Sequence, residues 1–176
     1  AQEPVAIASG VGAVLLIYLL AKELFKDEAI ALLSAGVFSL DGLPLVLSRM
    51  GMNDPYILFF ALLSIYLFFK KKDFWSALSF GLALASKWSA LWAIPILFAL
   101  WLRRKNKLNI STYICFLILP FAVYLLTYLP MFLTGHDLSI WWGMQKQMWW
   151  YHTGLRATHP YTSNWWSWPL LIRPIY

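Results

Sequence analysis

Hydrophobic residues in this chain form long runs that short polar clusters interrupt. The first run, from about Pro4 to Phe25, is long enough for a bilayer-crossing helix, which takes about 20 apolar residues. A second run from Ala29 to about Leu40 is shorter, and Asp41-Gly-Leu-Pro44 then offers turn chemistry that predicts a helix end. A third run lies between Asp54 and Phe69. The pattern therefore predicts helices separated by short connections.

Two basic clusters, Lys70–Lys72 and Arg103–Lys107, bracket the next apolar interval, Phe74–Leu102. Basic residues are enriched in cytoplasmic loops, so two such clusters on one side require an even number of crossings between them. The interval is therefore predicted to be a hairpin of two short helices. Its predicted break is Ser86-Lys-Trp-Ser89, the polar patch inside it.

The last part of the chain is predicted to contain two different kinds of helix. One, about Ile110 to Leu133, is apolar, with kinks at Pro120 and Pro130. The other, Ile140–Tyr151, has the composition of a helix lying in the membrane interface. Its predicted apolar stripe is Trp141, Met144, Met148 and Tyr151, and its predicted polar residues are Gln145, Lys146 and Gln147.

The composition turns these runs into a fold class. The chain is 61% hydrophobic and 12% charged, with a mean hydropathy of +0.63, which is far from the composition of soluble domains. We expect an all-α fold: a polytopic transmembrane bundle of about six or seven helices with an external, aromatic-rich interfacial helix. The expected segments are a transmembrane module over residues 1–133, an external loop over 134–168, and the start of a further transmembrane helix over 169–176.

The net charge of +6 does not indicate nucleic-acid binding, because the basic residues lie in short clusters between apolar runs. Cys115 has no second cysteine with which to form an internal disulfide. Placing the basic clusters inside puts Asp41, Arg49, Asp54 and Lys87 on the external side, together with the segment 134–168. The expected location is an integral membrane protein, in the plasma membrane of a prokaryote or in the endoplasmic reticulum of a eukaryote, with its active face external or lumenal.

Asp41, Arg49 and Asp54 interrupt an apolar stretch, and charges near membrane depth are functional candidates. Their spacing places Asp41 and Arg49 roughly on one face if the stretch is helical. Arginine suits a phosphate or diphosphate, and a carboxylate can orient a sugar hydroxyl or act as a base. A structural ion pair of Arg49 with Asp54 or Asp41 explains the spacing equally well. Lys87 either snorkels to the interface or adds a second cation to an anion site.

Seven tryptophans lie in the external segment, which also carries histidines, arginines and hydroxyls. An aromatic belt is the simpler interpretation of these tryptophans, although aromatic faces beside Arg and His also hold sugars or lipid phosphates. A zinc site of His136, His152 and His159 is improbable, because their spacing fits no compact ligand pattern. The tryptophans are Trp141, Trp142, Trp149, Trp150, Trp165, Trp166 and Trp168.

Three separated pieces of the chain resemble the dolichyl-phosphate-mannose protein O-mannosyltransferases of the glycosyltransferase C superfamily, family 39. The order and spacing of the pieces match from about Ala29 onward. The pieces are Leu40-Asp41 through Ser48-Arg49 to Asp54 with Phe59-Phe60, Gly81-Leu-Ala-Leu-Ala-Ser-Lys-Trp88, and His159-Pro-Tyr-Thr-Ser163 with Trp168-Pro169 and Arg173-Pro174.

The resemblance implies a membrane enzyme that transfers mannose from a polyprenyl (dolichyl) phosphate to Ser or Thr hydroxyls of an acceptor protein, with inversion at the anomeric carbon. The lipid-linked sugar is a substrate, and neither a cofactor nor a metal is expected. Membrane lipids and a related subunit, as a dimerisation partner, are further expected partners. Carried over by position, Asp41, Arg49 and Asp54 support the catalytic site. The donor phosphate and sugar are expected at Arg49, Lys87, Trp88, His152, Arg156, His159 and Tyr161.

The chain departs from the family pattern at its start, where the family carries an acidic pair that includes the presumed catalytic base. Here Glu3 is the single acid before the first helix, and Pro4 follows it. We therefore expect a partial chain that lacks the first helices and the catalytic loop, and that is inactive alone. A transferase with a lipid or glycan acceptor, and a non-enzymatic transporter or structural subunit, are the alternatives.

Overall fold

The computed structural model describes residues 3–49, 52–104, 110–154 and 166. Within these ranges the regular secondary structure is entirely helical, which confirms the all-α prediction. The elements are α1 (Glu3–Phe25), α2 (Glu28–Leu40), α3 (Gly42–Arg49), α4 (Asp54–Phe69), α5 (Asp73–Ser86), a 3₁₀ helix (Trp88–Ala93), α6 (Ile94–Leu102), α7 (Ile110–Leu126), α8 (Leu129–Leu133) and α9 (Leu138–Gly154).

The helix ends follow local chemistry. The Asp27 carboxylate caps α2 by accepting a hydrogen bond from the Ile30 amide, and Asp41 leaves helical geometry where the Asp-Gly turn was predicted. Pro55 lies in the first turn of α4, where its missing N–H costs nothing. The long helix predicted over 110–133 is wrong in one respect: it ends at Leu126 and α8 begins separately. Pro130 has no N–H to continue the ladder to the Leu126 carbonyl, so a break replaces the predicted kink.

Helices α1 and α4 run parallel, side by side. Gly12 faces Phe59 near their middle, where a Cβ at residue 12 would lie 2.5 Å from the Phe59 ring. Eleven residues further along each helix axis, Lys70 pairs with Glu23. A tight turn cannot join two parallel neighbouring helices. The chain therefore returns from the end of α1 to the start of α4 through α2 and α3.

A polar cluster at the ends of four helices fixes the directions in which these helices run. The Arg104 guanidinium contacts both Asp73 oxygens, at 3.1 and 2.8 Å, and donates to the Phe68 carbonyl. Its carbon lies 3.9 Å from the centre of the Phe68 ring, and the Thr112 hydroxyl donates to Asp73 at 3.0 Å. The cluster therefore joins the end of α4, the start of α5, the end of α6 and the start of α7. The break predicted inside this interval lies at Lys87, and the two membrane crossings predicted around it stay a prediction.

The core between α4 and α5 contains a pair of hydroxyls in apolar surroundings. Ser64 and Ser76 are fully buried, and the Ser76 hydroxyl donates to the Ser64 carbonyl at 2.7 Å. A buried polar group costs free energy unless it is hydrogen-bonded, so this contact selects one register of the two helices. The surrounding buried cluster is Phe68, Phe80, Ala83, Ala90, Ala93 and Leu97.

The chain forms two compact units, Ala1–Leu129 and Pro130–Tyr176. Within the described residues, one helical segment, Pro4–Phe25, is long and apolar enough to cross a membrane. The apolar helices that are shorter than this are Glu28–Leu40, Asp54–Phe69, Trp88–Leu102 and Thr112–Leu126. The prediction of six or seven crossings, like the predicted segment boundaries, stays a prediction.

Glycine 81 sets the separation of α5 and α7. A Cβ there would lie 2.9 Å from both the Pro120 Cα and the Val123 Cβ. We expect Gly81→Ala to lower the free energy of unfolding by about 1–3 kcal/mol, because the two helices must move apart. Gly36→Ala is the matched control: nothing lies within 4 Å of its added Cβ, and helix propensity predicts an unchanged or slightly higher stability. Thermal unfolding in detergent measures both, and equal effects would contradict this packing.

Candidate functional site

Two of the predicted site residues meet at the end of the first unit opposite to the Arg104 cluster. Asp54 begins α4 and Lys87 follows the end of α5, and the turn at Lys71 makes these helices antiparallel neighbours. The Lys87 Nζ lies 3.0 Å from Asp54 Oδ1. The lysine side chain is 48% exposed and the aspartate side chain 32% exposed. Both groups are therefore in partial contact with the surroundings, as a ligand-binding pair requires.

The residue after Lys87 is held by a different helix. The Trp88 indole N–H donates to the Tyr124 hydroxyl at 3.0 Å, and the Tyr124 and Tyr128 hydroxyls lie 3.1 Å apart. Their rings contact edge to face, with centroids 5.3 Å apart. Trp88 is thus anchored to α7 through a small network of aromatic hydroxyls.

The structure corrects the predicted geometry of Asp41, Arg49 and Asp54. These residues do not share a helix: Asp41 follows the end of α2, Arg49 ends α3 and Asp54 begins α4. A helical-face argument therefore does not relate them. The structural ion pair considered for Arg49 with Asp54 is also wrong, because Asp54 pairs with Lys87. Arg49 is exposed, and it forms no ion pair with any carboxylate in the part of the chain that the structure describes.

The α3 helix that carries Arg49 packs against α1. Ser48 is buried, and its Cβ would lie 3.0 Å from a Cβ added at Gly10. The small residue on α1 lets α3 approach closely, which places Arg49 at the same end of the unit as Asp54. Arg49, Asp54 and Lys87 are thus brought to this end by α3, α4 and the junction after α5.

An apolar cavity of about 440 Å³ opens beside Asp54. Its walls come from α1, α2, α3, α4, the 3₁₀ helix and α6, and among the described residues of the lining Asp54 is the single charged one. The lining residues are Gly10, Ala13, Phe38, Pro44, Leu47, Asp54, Pro55, Ile57, Leu58, Ala61, Leu62, Ile65, Ser89, Ala90, Trp92, Ala93 and Ile96. The site thus combines a hydrocarbon-lined space with a carboxylate in its wall.

The helix predicted over Ile140–Tyr151 is α9 of the second unit, and its position at a membrane interface stays a prediction. Asp137 caps it: its carboxylate accepts from the Ile140 amide at 3.0 Å, from the Ser139 hydroxyl at 2.8 Å and from the Ser139 amide at 3.0 Å. These bonds, first the one from Ile140, lower the pKa of Asp137. Gln145, one of the residues predicted as polar, is buried. His152 is exposed near the end of α9. Its part in donor binding stays a prediction.

Three of the predicted donor-site residues, Arg156, His159 and Tyr161, lie outside the described residues. The same holds for the motif His159-Pro-Tyr-Thr-Ser163 and for the segment 169–176.

A family model, dolichyl-phosphate-mannose-protein mannosyltransferase, matches residues 5–136 of the chain. The chain belongs to this mannosyltransferase family. The match includes Asp41, Arg49, Asp54, Lys87 and Trp88 and ends just before α9. Comparisons with curated proteins and with solved structures gave no match.

Membership of the mannosyltransferase family confirms the suspected resemblance and supports a glycosyltransferase of the mannosyltransferase type. Family members are membrane proteins, with which the apolar helix α1 is consistent. Membership also implies, in general terms, a dolichyl-phosphate-mannose donor and a protein acceptor.

Sequence reasoning missed Tyr124 and Tyr128, which the structure brings to the candidate site of this mannosyltransferase. They lie in an apolar run without a charge to mark them, and an i, i+4 pair of tyrosines is ordinary on a helix. Two signals could have drawn attention to them. The tyrosines share one face of a helix, and a buried tyrosine hydroxyl needs a hydrogen-bond partner.

The cap at Asp137 generates a prediction about pH. Because the folded-state pKa of Asp137 is lowered, the stabilisation it provides to α9 is fully present above the unfolded pKa of about 4 and is lost as pH falls through the folded value. We expect protection of the Ser139 and Ile140 amides against hydrogen exchange to stay constant from pH 7 to about pH 5 and to fall at lower pH. In Asp137→Asn this dependence should disappear. Equal pH profiles in the two proteins would contradict the cap.

Proposed function

We propose that this chain forms the donor-binding part of a transferase that moves mannose from a polyprenyl phosphate to Ser or Thr hydroxyls of proteins. The observation that supports the proposal is that Asp54, in the wall of the apolar cavity, pairs with Lys87. A polyprenyl-phosphate sugar has a long hydrocarbon chain, a phosphate and a polar sugar in sequence. The cavity is suited to the hydrocarbon chain, and the lysine beside it is suited to the phosphate.

The lysine is suited to the phosphate. An ammonium has three donors, and Asp54 accepts one of them. Two donors of Lys87 are therefore available for phosphate oxygens while Asp54 holds the side chain in place. Arg49, exposed at the same end, supplies a planar fork for a second contact. We propose that Asp54 and Asp41 shape the site, and that Asp54, engaged by Lys87, does not take the proton of the acceptor.

In the proposed reaction the acceptor hydroxyl attacks the anomeric carbon as the bond from that carbon to the phosphate oxygen breaks. Polyprenyl phosphate leaves with the bonding electrons, and a carboxylate base takes the hydroxyl proton. Charge builds up on the leaving phosphate, so Lys87 and Arg49 stabilise the transition state as well as the bound donor. Donor and acceptor are the only reactants, and we propose no cofactor.

The setting of this reaction is part of the proposal. We place the site on the external or lumenal face of a multi-pass membrane protein, because Asp54 and Lys87 lie at the end of the unit opposite to the basic residues of Lys70–Lys72 and Arg103. Tryptophans of α9 are proposed to lie at the membrane interface. Donor binding by His152, Arg156, His159 and Tyr161 is proposed from the family resemblance alone. Dimerisation with a related subunit is proposed as well.

The charged residues of the site can be tested in the complete reading frame that encodes this chain. We expect Arg49→Ala and Asp54→Ala to lower mannose transfer from polyprenyl-phosphate-mannose by about a hundredfold or more. The first variant removes a positive charge at the leaving phosphate, and the second removes the carboxylate that holds Lys87. Protein amounts in the membrane should not change. Arg103→Ala removes an exposed cation at the opposite end and should leave transfer intact. Near-normal transfer in both site variants would overturn the proposal.

The apolar cavity can be tested separately by filling it. Ala61→Phe adds a ring to the cavity wall, so we expect the KM for a long-chain polyprenyl donor to rise by about tenfold or more. A donor with a single short prenyl unit should be affected less. Ala99→Phe makes the same change at an exposed position of α6 that does not line the cavity. A rise in KM that is equal for long and short donors would contradict a hydrocarbon site here.

A further inference from the structure

Lys87 is a single residue with extended backbone between two helices. Its φ of −166° and ψ of 140° separate the end of α5 from the start of the 3₁₀ helix. The Lys87 amide donates to the Ala83 carbonyl, and the Ala90 amide donates to the Lys87 carbonyl, both at 3.1 Å. Trp88 is the first residue of the 3₁₀ helix. The two side chains reach different helices: Lys87 contacts Asp54 on α4, whereas Trp88 donates to Tyr124 on α7.

The ion pair alone is too weak to fix the lysine. A partly exposed ion pair contributes little net stability, because its Coulomb attraction is offset by the entropy of ordering the lysine side chain. The pair with Asp54 therefore depends on the direction that the backbone of Lys87 gives to the side chain. The contact on the other side of this junction is the hydrogen bond from Trp88 to Tyr124.

Tyr124 is well placed to hold Trp88. It is 8% exposed, it lies on α7, and its hydroxyl lies 3.1 Å from that of Tyr128. The α7 helix that carries Tyr124 is itself held in place, because Gly81 of α5 packs directly on Pro120 and Val123. The indole N–H therefore meets an acceptor that cannot move away easily.

We propose that Tyr124 and Trp88 are positioning residues for Lys87: the Trp88–Tyr124 hydrogen bond orients the junction so that the Lys87 ammonium lies against Asp54. Trp88 then acts through the lysine and not by direct contact with the donor. The placement of Lys87 follows from the fold alone, and its consequence for donor binding rests on the proposed function.

The test measures the reactivity of Lys87 toward an amine-acylating reagent in the detergent-solubilised protein, with the labelled fraction of each lysine determined by mass spectrometry. Lys70, paired with Glu23 at the opposite end, is the internal reference. Loss of one hydrogen bond shifts a local equilibrium by about fivefold. We expect Tyr124→Phe and Trp88→Phe each to raise the Lys87 to Lys70 labelling ratio by about three- to fivefold. Asp54→Asn, which removes the partner itself, gives the upper limit.

Two controls separate positioning from general loosening. Ser64→Ala removes a buried hydroxyl that bonds between helices, so it lowers stability without touching the junction, and its labelling ratio should equal that of the unaltered protein. The double variant Trp88→Phe with Tyr124→Phe should label no faster than either single variant, because both substitutions remove the same Trp88–Tyr124 hydrogen bond. An unchanged ratio in Tyr124→Phe, a rise as large in Ser64→Ala, or additive effects in the double variant would overturn the proposal.

Binding of polyprenyl phosphate to the same variants separates this inference from the proposed function. A fall in affinity of about fivefold in Tyr124→Phe, together with faster Lys87 labelling, supports both. Faster labelling with unchanged affinity supports the positioning of Lys87 and contradicts its contact with the donor phosphate.

Discussion

The first unit depends on the bidentate contact of Arg104 with Asp73. Because the end of α6 must return to the start of α5, the chain between them has to reverse direction once, and the reversal falls at Lys87. Thr112 brings the start of α7 to the same place, which carries Tyr124 to the opposite end. One ion pair thus influences which residues become neighbours at the far ends of these helices. Its partly buried carboxylate and guanidinium also have further partners in Thr112 and the Phe68 carbonyl, as a charge in an apolar bundle requires.

Polar chemistry is divided between two ends of the unit, and each end uses it differently. At the Arg104 end, the charges compensate one another in closely spaced pairs such as Lys70 with Glu23 and Lys22 with Glu28. At the Lys87 end, the charges of the described residues are fewer, and one of them, Asp54, lines an apolar cavity. The first arrangement closes the bundle, whereas the second leaves room for a ligand with an apolar and an anionic part.

Helix positions could be predicted from the sequence where polar residues interrupt apolar runs. The limits of α4 and the break after Ser86 follow directly from such interruptions. Tertiary relations could not be predicted, because the chain spacing of Asp41, Arg49 and Asp54 indicates a shared face only within one helix, and these residues lie on three elements. The partner of Asp54 is 33 residues away, a distance at which periodicity carries no information. Tyr124 was missed for the same reason: its role arises from a contact between helices and not from its local pattern.

The single extended residue between α5 and the 3₁₀ helix makes this part of the chain sensitive to length. One inserted or deleted residue would turn the helix on one side of the junction by about 100° relative to the other. The lysine and the tryptophan could then no longer both reach their partners. Substitutions at the surrounding positions change contacts one at a time, whereas a change in length displaces the whole junction. Among related chains, the number of residues from Ser86 to Ser89 is therefore expected to vary less than their identities.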